Sequence, residues 1–485
     1  MSKSDSVVKG GGSVAIARML GMVLSFLLFL VLARHSPQDA GVFRTVVTYL
    51  VIAEFLGMLG MHRWLATEMA SENKGRWALF LATNSVMLGV SIFLIITYLS
   101  ISYLDVYSPG IDHGLKLAAL SIIPSGIYQC VQSALIGVGK TYAVGKYNGI
   151  EYLIRCTVSI LLIYLNFSVT DVIWVFVLTR WGIAFYSFYV LSQMLEADHW
   201  LPNKKDVAYV LRDAPKFLVI IFAFLTLRNA ALVLIPALIS DAENAIFGVA
   251  YQLFDMILLI PSVLAVTSNH VFVNKANQSN VALRRVSTQL VSITSLALFP
   301  CIAITAAFAQ NFLMFLYGDH YLLAKHALML LMIASGLVMV DQVLSQVMTA
   351  RKDYKSDMIS ILVGGLSAAA LTVVLVMHSG ATGAALALVL AMLATVIIRL
   401  RLLRSVFPIK LLLLSTWRPS LASLITFIFF DMGLKLSMFS VLANGKYLWI
   451  FCVPIALILY VFLLYVMGGI TLAKRTRIRQ FLFHH

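Results

Sequence analysis

Residues 13–35 read Ser13-Val-Ala-Ile-Ala-Arg18-Met-Leu-Gly21-Met-Val-Leu-Ser25-Phe-Leu-Leu-Phe29-Leu-Val-Leu-Ala33-Arg34-His35, an apolar or small-residue run interrupted by Arg18 and closed by Arg34 and His35. At about 1.5 Å per residue, a helix of this length crosses the roughly 30 Å of hydrocarbon in a bilayer. The segment follows a short basic start (Lys3, Lys9) and is too long for a cleaved leader, although Val31-Leu32-Ala33 imitates a cleavage site; it is expected to be retained. Thirteen comparable stretches follow, centred near Ala53, Gly89, Ile127, Leu161, Phe185, Leu227, Leu258, Leu298, Val338, Leu371, Leu390, Phe429 and Ile458. The expected fold is all-α, a polytopic membrane protein with fourteen transmembrane helices.

Composition points the same way. Of 485 residues, 61% are hydrophobic and 12% charged, and a mean hydropathy of +0.93 excludes a water-covered globular domain. The formal charge of +15 invites a nucleic-acid partner, but the cations are scattered over short segments at helix ends and form no single face, so none is expected. Of 36 Lys and Arg, 26 lie in the N-terminus, in every second gap between stretches and in the C-terminal tail. The positive-inside rule makes those segments, and with them both termini, cytoplasmic. Cys130, Cys156, Cys301 and Cys452 fall in or beside the apolar stretches, which leaves no disulfide framework and no CxxC metal site. Neither metal nor cofactor is expected.

The outward gaps, such as Ser36–Ala40, Tyr103–Gly114, Asn166–Asp171 and Ser240–Asn244, are short and acidic, with no room for a catalytic domain. The inward gaps Glu196–Lys216, Asn269–Thr288 and Arg399–Arg418 each have the size of one surface helix. In the last of them, Arg399-Leu-Arg-Leu-Leu-Arg404 mixes cations with leucines as an in-plane helix or an amphipathic connector would. The tail Lys474-Arg-Thr-Arg-Ile-Arg479 suits an anchor to anionic membrane lipids. Ala134-Leu-Ile-Gly-Val-Gly-Lys140-Thr141 imitates a phosphate-binding loop, but it closes an apolar stretch where such a loop must follow a strand.

Two polar strings suggest duplication. Gln129-x-x-Gln132-Ser133 leads to Lys140-x-Tyr142, and Gln342-x-x-Ser345-Gln346 leads to Lys352-x-Tyr354. The expected organisation is an N-terminal lobe (1–198, spans one to six), a second lobe in the same orientation (199–406, spans seven to twelve), and a last segment (407–485) with spans thirteen and fourteen and the basic tail. Stripes of small residues, Ala17-Gly21-Ser25 and Gly383-Ala387-Ala391-Thr395, suit close helix contacts.

Ionisable groups within the spans are costly and informative. Arg18 and Arg155 lie inward of the cytoplasmic boundary, and Arg180, Arg228, Glu54, Asp255 and Asp341 lie nearer the midplane. They either staple helices or line a wet amphoteric cleft. In the second case the arginines suit an anionic substrate and the carboxylates suit ion coupling by H+ or Na+. Tyr49, Tyr128 and Tyr251, with Trp64, Tyr152, Trp181 and Tyr186, offer ring faces to sugars or form interfacial belts. Arginines outnumber carboxylates in this set, 4 to 3, which weighs against a cation or drug antiporter. The absence of a long outer loop weighs against a membrane glycosyltransferase or polymerase, so no enzyme is expected.

The opening, Gly11-Gly12, Ala17-Arg18-x-Leu20-Gly21, Phe26-Leu-Leu-Phe29 and Leu32-Ala33-Arg34-x-x-Ser36-Pro37-x-x-x-Gly41-x-Phe43, resembles that of Wzx-type polysaccharide flippases, of the multidrug/oligosaccharidyl-lipid/polysaccharide (MOP) exporter superfamily. Gly57–Gly60, Gly137-Val-Gly-Lys140 and Phe407-Pro408-Ile-Lys410 extend the similarity over most of the chain. The resemblance implies a flippase for an undecaprenyl-pyrophosphate-linked oligosaccharide in a bacterial inner membrane, serving O-antigen, capsule or related polymer assembly, with polymerase and chain-length proteins as partners. It places Arg18 in the opening Ala-Arg motif and assigns cavity cations to pyrophosphate and sugar. Related lipid II flippases have a lipid-tail groove in spans thirteen and fourteen, where this chain carries Asp431, Lys435 and Lys446. Arg228, Asp255 and Asp341 match no motif of the family, and their roles rest on depth alone.

Overall fold

The computed structural model describes residues 3–70, 75–195, 201–435 and 448–469. Among these every regular element is helical: α1 (Lys3–His35), α2 (Pro37–Gly57), α3 (His62–Ala70), α4 (Arg76–Tyr103), α5 (Pro109–Ala119), α6 (Ile122–Gly137), α7 (Thr141–Tyr164), α8 (Val169–Met194), α9 (Lys204–Leu238), α10 (Asp241–Ile257), α11 (Leu259–Gln278), α12 (Asn280–Ala307), α13 (Ala309–Tyr317), α14 (Lys325–Ala350), α15 (Tyr354–Leu402), α16 (Ile409–Lys435) and α17 (Cys452–Val466), with short 3-10 turns at Asp319–Ala324 and Leu448–Phe451. The tail at 474–479, Lys435's side chain and Lys446 lie outside the described residues.

Among the described residues eleven helical segments are long and apolar enough to cross a membrane, or twelve if α5 and α6, bent by 49°, form one span. The element α15 is two helices merged across non-helical Ser379 and Gly380. Gly380 has φ +53° and ψ −133°, a conformation open to glycine and costly for other residues. Fourteen spans are reached only if α15 counts twice and α7, 24 residues long with Glu151 and Arg155 inside it, also crosses.

The short acidic gaps are helix caps. Ser36 accepts from the Asp39 N–H, Ser108 from Ile111, Ser168 from Asp171 in a reciprocal capping box, and Ser240 from Glu243. A serine followed three or four residues later by an acid satisfies orphan N–H groups and complements the helix dipole, so these gaps need few residues.

Among the described residues, the inward gaps Glu196–Lys216, Asn269–Thr288 and Arg399–Arg418 hold no separate surface helix. Residues 204–216 prolong α9, and 269–288 is shared between the end of α11 and the start of α12. Arg399 to Leu402 is the last turn of α15, and after a turn the chain re-enters helix at Ile409, so of the two readings, in-plane helix or connector, the segment is a connector between two long helices. Arg399 turns inward while Arg401 and Arg404 stay exposed. The phosphate-loop look-alike does close a helix: α6 ends at Gly137 and α7 starts at Thr141.

The chain forms two compact units, 1–248 and 249–485. In the first, α1 lies along α7, α2 packs on α5 and α9, and α6 packs on α3, α4 and α8. The unit extends past the lobe limit expected at 198 because α9 packs on α2 and α4. The α1–α7 seam uses the small-residue stripe: a Cβ on Gly21 would stand 2.5 Å from the Tyr152 ring. Lipid tails are as apolar as leucine, so helices associate through such close contact and not through transfer from water. In the second unit α14 packs on α15, and α12 on α11, α14 and α16, around a core that includes Phe272, Leu290, Met339, Leu344 and Phe407.

Candidate functional site

The first unit gathers three of the costly charges, with Glu151 as a fourth, into one network. Arg180, about 17 Å along α8 from Val169, forms an ion pair with Glu54 of α2 and lies 3.4 Å from Glu151 of α7. Glu151 also accepts from Arg155, one turn further along α7, at 2.9 Å. Two guanidinium groups and two carboxylates thus alternate, with Glu151 bridging the arginines. Aromatic faces complete the enclosure: Arg155 stands 4.9 Å from the Tyr152 ring and 4.4 Å from Phe176, and Arg180 stands 5.7 Å from Tyr128. Tyr128 and Gln132 donate to Asn148 Oδ1 at 2.7 and 2.9 Å, which joins the Gln-rich string of α6 to the charged face of α7. Access is graded, with Glu151 almost sealed and Glu54 and Arg180 partly open.

The network is formally neutral, and each charge has an opposite partner within hydrogen-bonding or ion-pairing reach. Removing one partner would leave another stranded. The arrangement is also exchangeable, since an anion with several oxygens could take the guanidinium forks in place of the carboxylates.

Sequence reading named Arg155, Arg180 and Glu54 but missed Glu151. The available signal was its i, i+4 spacing from Arg155, which places an acid and a base on one helix face. Including Glu151, the charges number four against four, and the charge-count argument against an antiporter no longer holds.

The remaining candidates fall elsewhere. Arg18 is exposed on α1, about 9 Å from Gly12, and Arg228 is half-buried on α9. Asp255 is half-buried two residues before the end of α10. Asp341 of α14 belongs to a cluster of the second unit that also went unforeseen: Arg399 lies 2.8 Å from its carboxylate and donates to Asp357 Oδ1 at 2.7 Å, while Ser345 donates to the same oxygen at 3.2 Å. Arg399 is 1% exposed, so it acts as a buried staple and not as the loop cation its position suggested.

The three tyrosines considered for sugar contact are buried in this conformation. Tyr49 and Tyr107 share a hydroxyl–hydroxyl hydrogen bond of 2.8 Å, and Tyr98 donates to the Tyr49 carbonyl. Tyr128 serves Asn148, and the Tyr251 ring packs 5.3 Å from Phe254. Among the described residues no group of three or more His, Cys, Asp or Glu could hold a metal ion.

Comparison with known proteins adds the following. Residues 31–326 match the family profile described as "Polysaccharide biosynthesis protein". No curated protein sequence matches the chain. A structure titled lipid II flippase MurJ, in an inward closed conformation, superposes with a TM-score of 0.73 over 93% of this chain and 98% of that one, at 14% identity. An outward-facing multidrug resistance MATE family transporter of the MOP superfamily gives 0.56 over 84% and 96%, at 13% identity. A MOP superfamily transporter from Pyrococcus furiosus gives 0.51 over 87% and 96%, at 14% identity. The fold is thus one shared with structures of a flippase and of multidrug transporters.

Proposed function

The chain belongs to the polysaccharide biosynthesis protein family, and from that membership we propose that it is a flippase carrying an undecaprenyl-pyrophosphate-linked oligosaccharide across a bacterial inner membrane. The observation that carries the reading is the Glu54–Arg180–Glu151–Arg155 network within membrane-depth helices. Charges that a bilayer penalises are kept there, in a pair of arginine forks suited to phosphate oxygens. The pyrophosphate displaces a carboxylate from Arg180 while the prenyl tail stays in lipid. Protonation or Na+ binding at the displaced carboxylate discharges the site for the return step. Arg18, exposed on α1, meets the head group on entry, and Arg228, Asp255 and Asp341 serve later in the passage. The two lobes, 1–198 and 199–406, alternate in access, with fourteen spans and both termini on the cytoplasmic side.

The test replaces Arg180 and Arg18 separately by Ala and Lys in cells that depend on this gene. Surface polymer and inner-leaflet lipid-linked sugar are then followed at matched protein abundance. Loss of surface polymer with accumulation of the lipid-linked unit is expected for Arg180→Ala. Full export by both alanine variants would sink the arginine-cavity reading.

A drug or cation antiporter of the same superfamily is the second reading, favoured by the even charge count and the MATE-like fold. It predicts raised drug susceptibility in a deletion strain with surface polymer intact, the reverse of the flippase outcome.

A further inference from the structure

Three of the short gaps expected to face outward, Ser36–Ala40, Tyr103–Gly114 and Ser240–Asn244, converge in the first unit. The start of α2 touches the start of α10 so closely that a Cβ on Gly41 would stand 2.1 Å from the Asp241 carbonyl oxygen. Asn244 reaches from α10 to α2, donating to Thr45 Oγ1 at 2.7 Å and to the Gly41 carbonyl at 3.4 Å. Ser108, the cap of α5, donates to Asp241 Oδ2 at 2.5 Å. Asp112 follows one turn later on the face of α5 that carries Ser108, and it feels the like charges of Asp105 and Asp241 and, against them, the opposite charge of Lys116 one turn further on.

This junction has more acceptors than donors. Asp112 and Asp241 are each 8% exposed and Asn244 is 0% exposed. Among the described residues, one oxygen of each (Asp112 Oδ1, Asp241 Oδ1, Asn244 Oδ1) has no hydrogen-bond partner. Three side-chain donors at the junction have partners: the Ser108 hydroxyl donates to Asp241, the Asn244 amide to α2, and the Lys116 ammonium stands 4.4 Å from the Tyr103 ring centre. Helix capping explains acids at these N-termini, but a capping acid need not be orphaned. Asp171, at the start of α8, receives both the N–H and the hydroxyl of Ser168. Lys116 supplies Asp112 with one opposite charge; two buried carboxylates and an unpaired amide oxygen at the same junction still outnumber it, and an all-oxygen set suits hard cations.

We propose that Asp112, Asp241 and Asn244, with Ser108, form a binding site for a hard cation of the calcium or sodium class that ties together the starts of α2, α5 and α10. The site stands apart from the transport reading and would bind its ion whatever the chain carries.

The test is thermal unfolding of the purified full chain, read by tryptophan fluorescence in detergent after chelation and exchange into choline buffer. CaCl2, NaCl and MgCl2 are titrated separately against choline at matched ionic strength. A saturable rise of several degrees with calcium or sodium is expected. Asp112→Asn and Asp241→Asn should abolish it while melting no lower than wild type without the cation, because each removes one of two like charges. Asp171→Asn should retain the response. Ser108→Ala keeps both carboxylates and should raise the half-saturating concentration several-fold, which decides the matter if the charge variants do not accumulate. The proposal is overturned if neither cation raises the wild-type transition beyond choline. It is equally overturned if both Asp variants keep the full response, or if they melt lower than wild type without the cation, as acids that only cap helices would.

Discussion

Arg180 serves two carboxylates, whereas Glu151 serves two arginines and Glu54 pairs with Arg180. That asymmetry ranks the variants. Arg180→Ala strands Glu54 and leaves Glu151 with Arg155 alone, and should cost about 3–5 kcal/mol, whereas Glu54→Gln leaves Arg180 paired with Glu151 and should cost about 1–2 kcal/mol. Unfolding midpoints in detergent check the order, and a double-mutant cycle should return a coupling of about 1–3 kcal/mol. His62, which opens α3 outside the spanning helices, is a second sensitive residue. Burial, against Phe55 at 5.7 Å among others, lowers its pKa to about 4, partly offset by a hydrogen bond with Gln129. Unfolded, it takes its proton near pH 6.5, so between pH 6.5 and 4 the unfolded chain binds more protons and the folded state loses about 1.4 kcal/mol per pH unit. Above that window both states are neutral and the dependence vanishes. Midpoints from pH 7.5 to 4.5 should fall for the wild type and flatten for His62→Gln.

At the scale of elements, close packing and buried staples set the tolerances. Gly21→Val forces α1 off the Tyr152 ring and should cost about 1–3 kcal/mol. Combined with Tyr152→Ala it should be less harmful than the two costs summed, a non-additivity that thermal midpoints would reveal. In the second unit Arg399 binds α14 to both halves of α15. Arg399→Met alone removes the guanidinium that Asp341 and Asp357 share and should lower stability by about 3–5 kcal/mol. Adding Asp341→Asn and Asp357→Asn should restore much of it, since a stranded charge costs more than an absent pair. If the single and triple variants melt alike, the cluster is no staple.

At the scale of the whole molecule, orientation can be measured directly. In a background with the four native cysteines replaced, Phe167→Cys should react with an impermeant thiol reagent from outside intact cells. Gln278→Cys should react only after the inner face is opened. The reverse pattern would invert the topology argued from lysines and arginines.

The helical class and the positions of the apolar stretches were legible in the chain itself, because a bilayer demands long apolar helices and a bare backbone cannot lie in lipid. Arg155, Arg180 and Glu54 were legible as costly, because their depth follows from counting residues. Which charges meet was not. Glu151, Arg399 and Asp357 gain their roles from helices distant in sequence, and depth along one helix does not say which neighbour it faces. Tyr49, Tyr128 and Tyr251 looked available for sugars, and packing turned the Tyr49 and Tyr128 hydroxyls and the Tyr251 ring to protein. Likewise only the folded chain brings Gly41, Asp112, Asp241 and Asn244 to one place, because pair formation depends on crossing positions between helices, which one-dimensional periodicity does not encode.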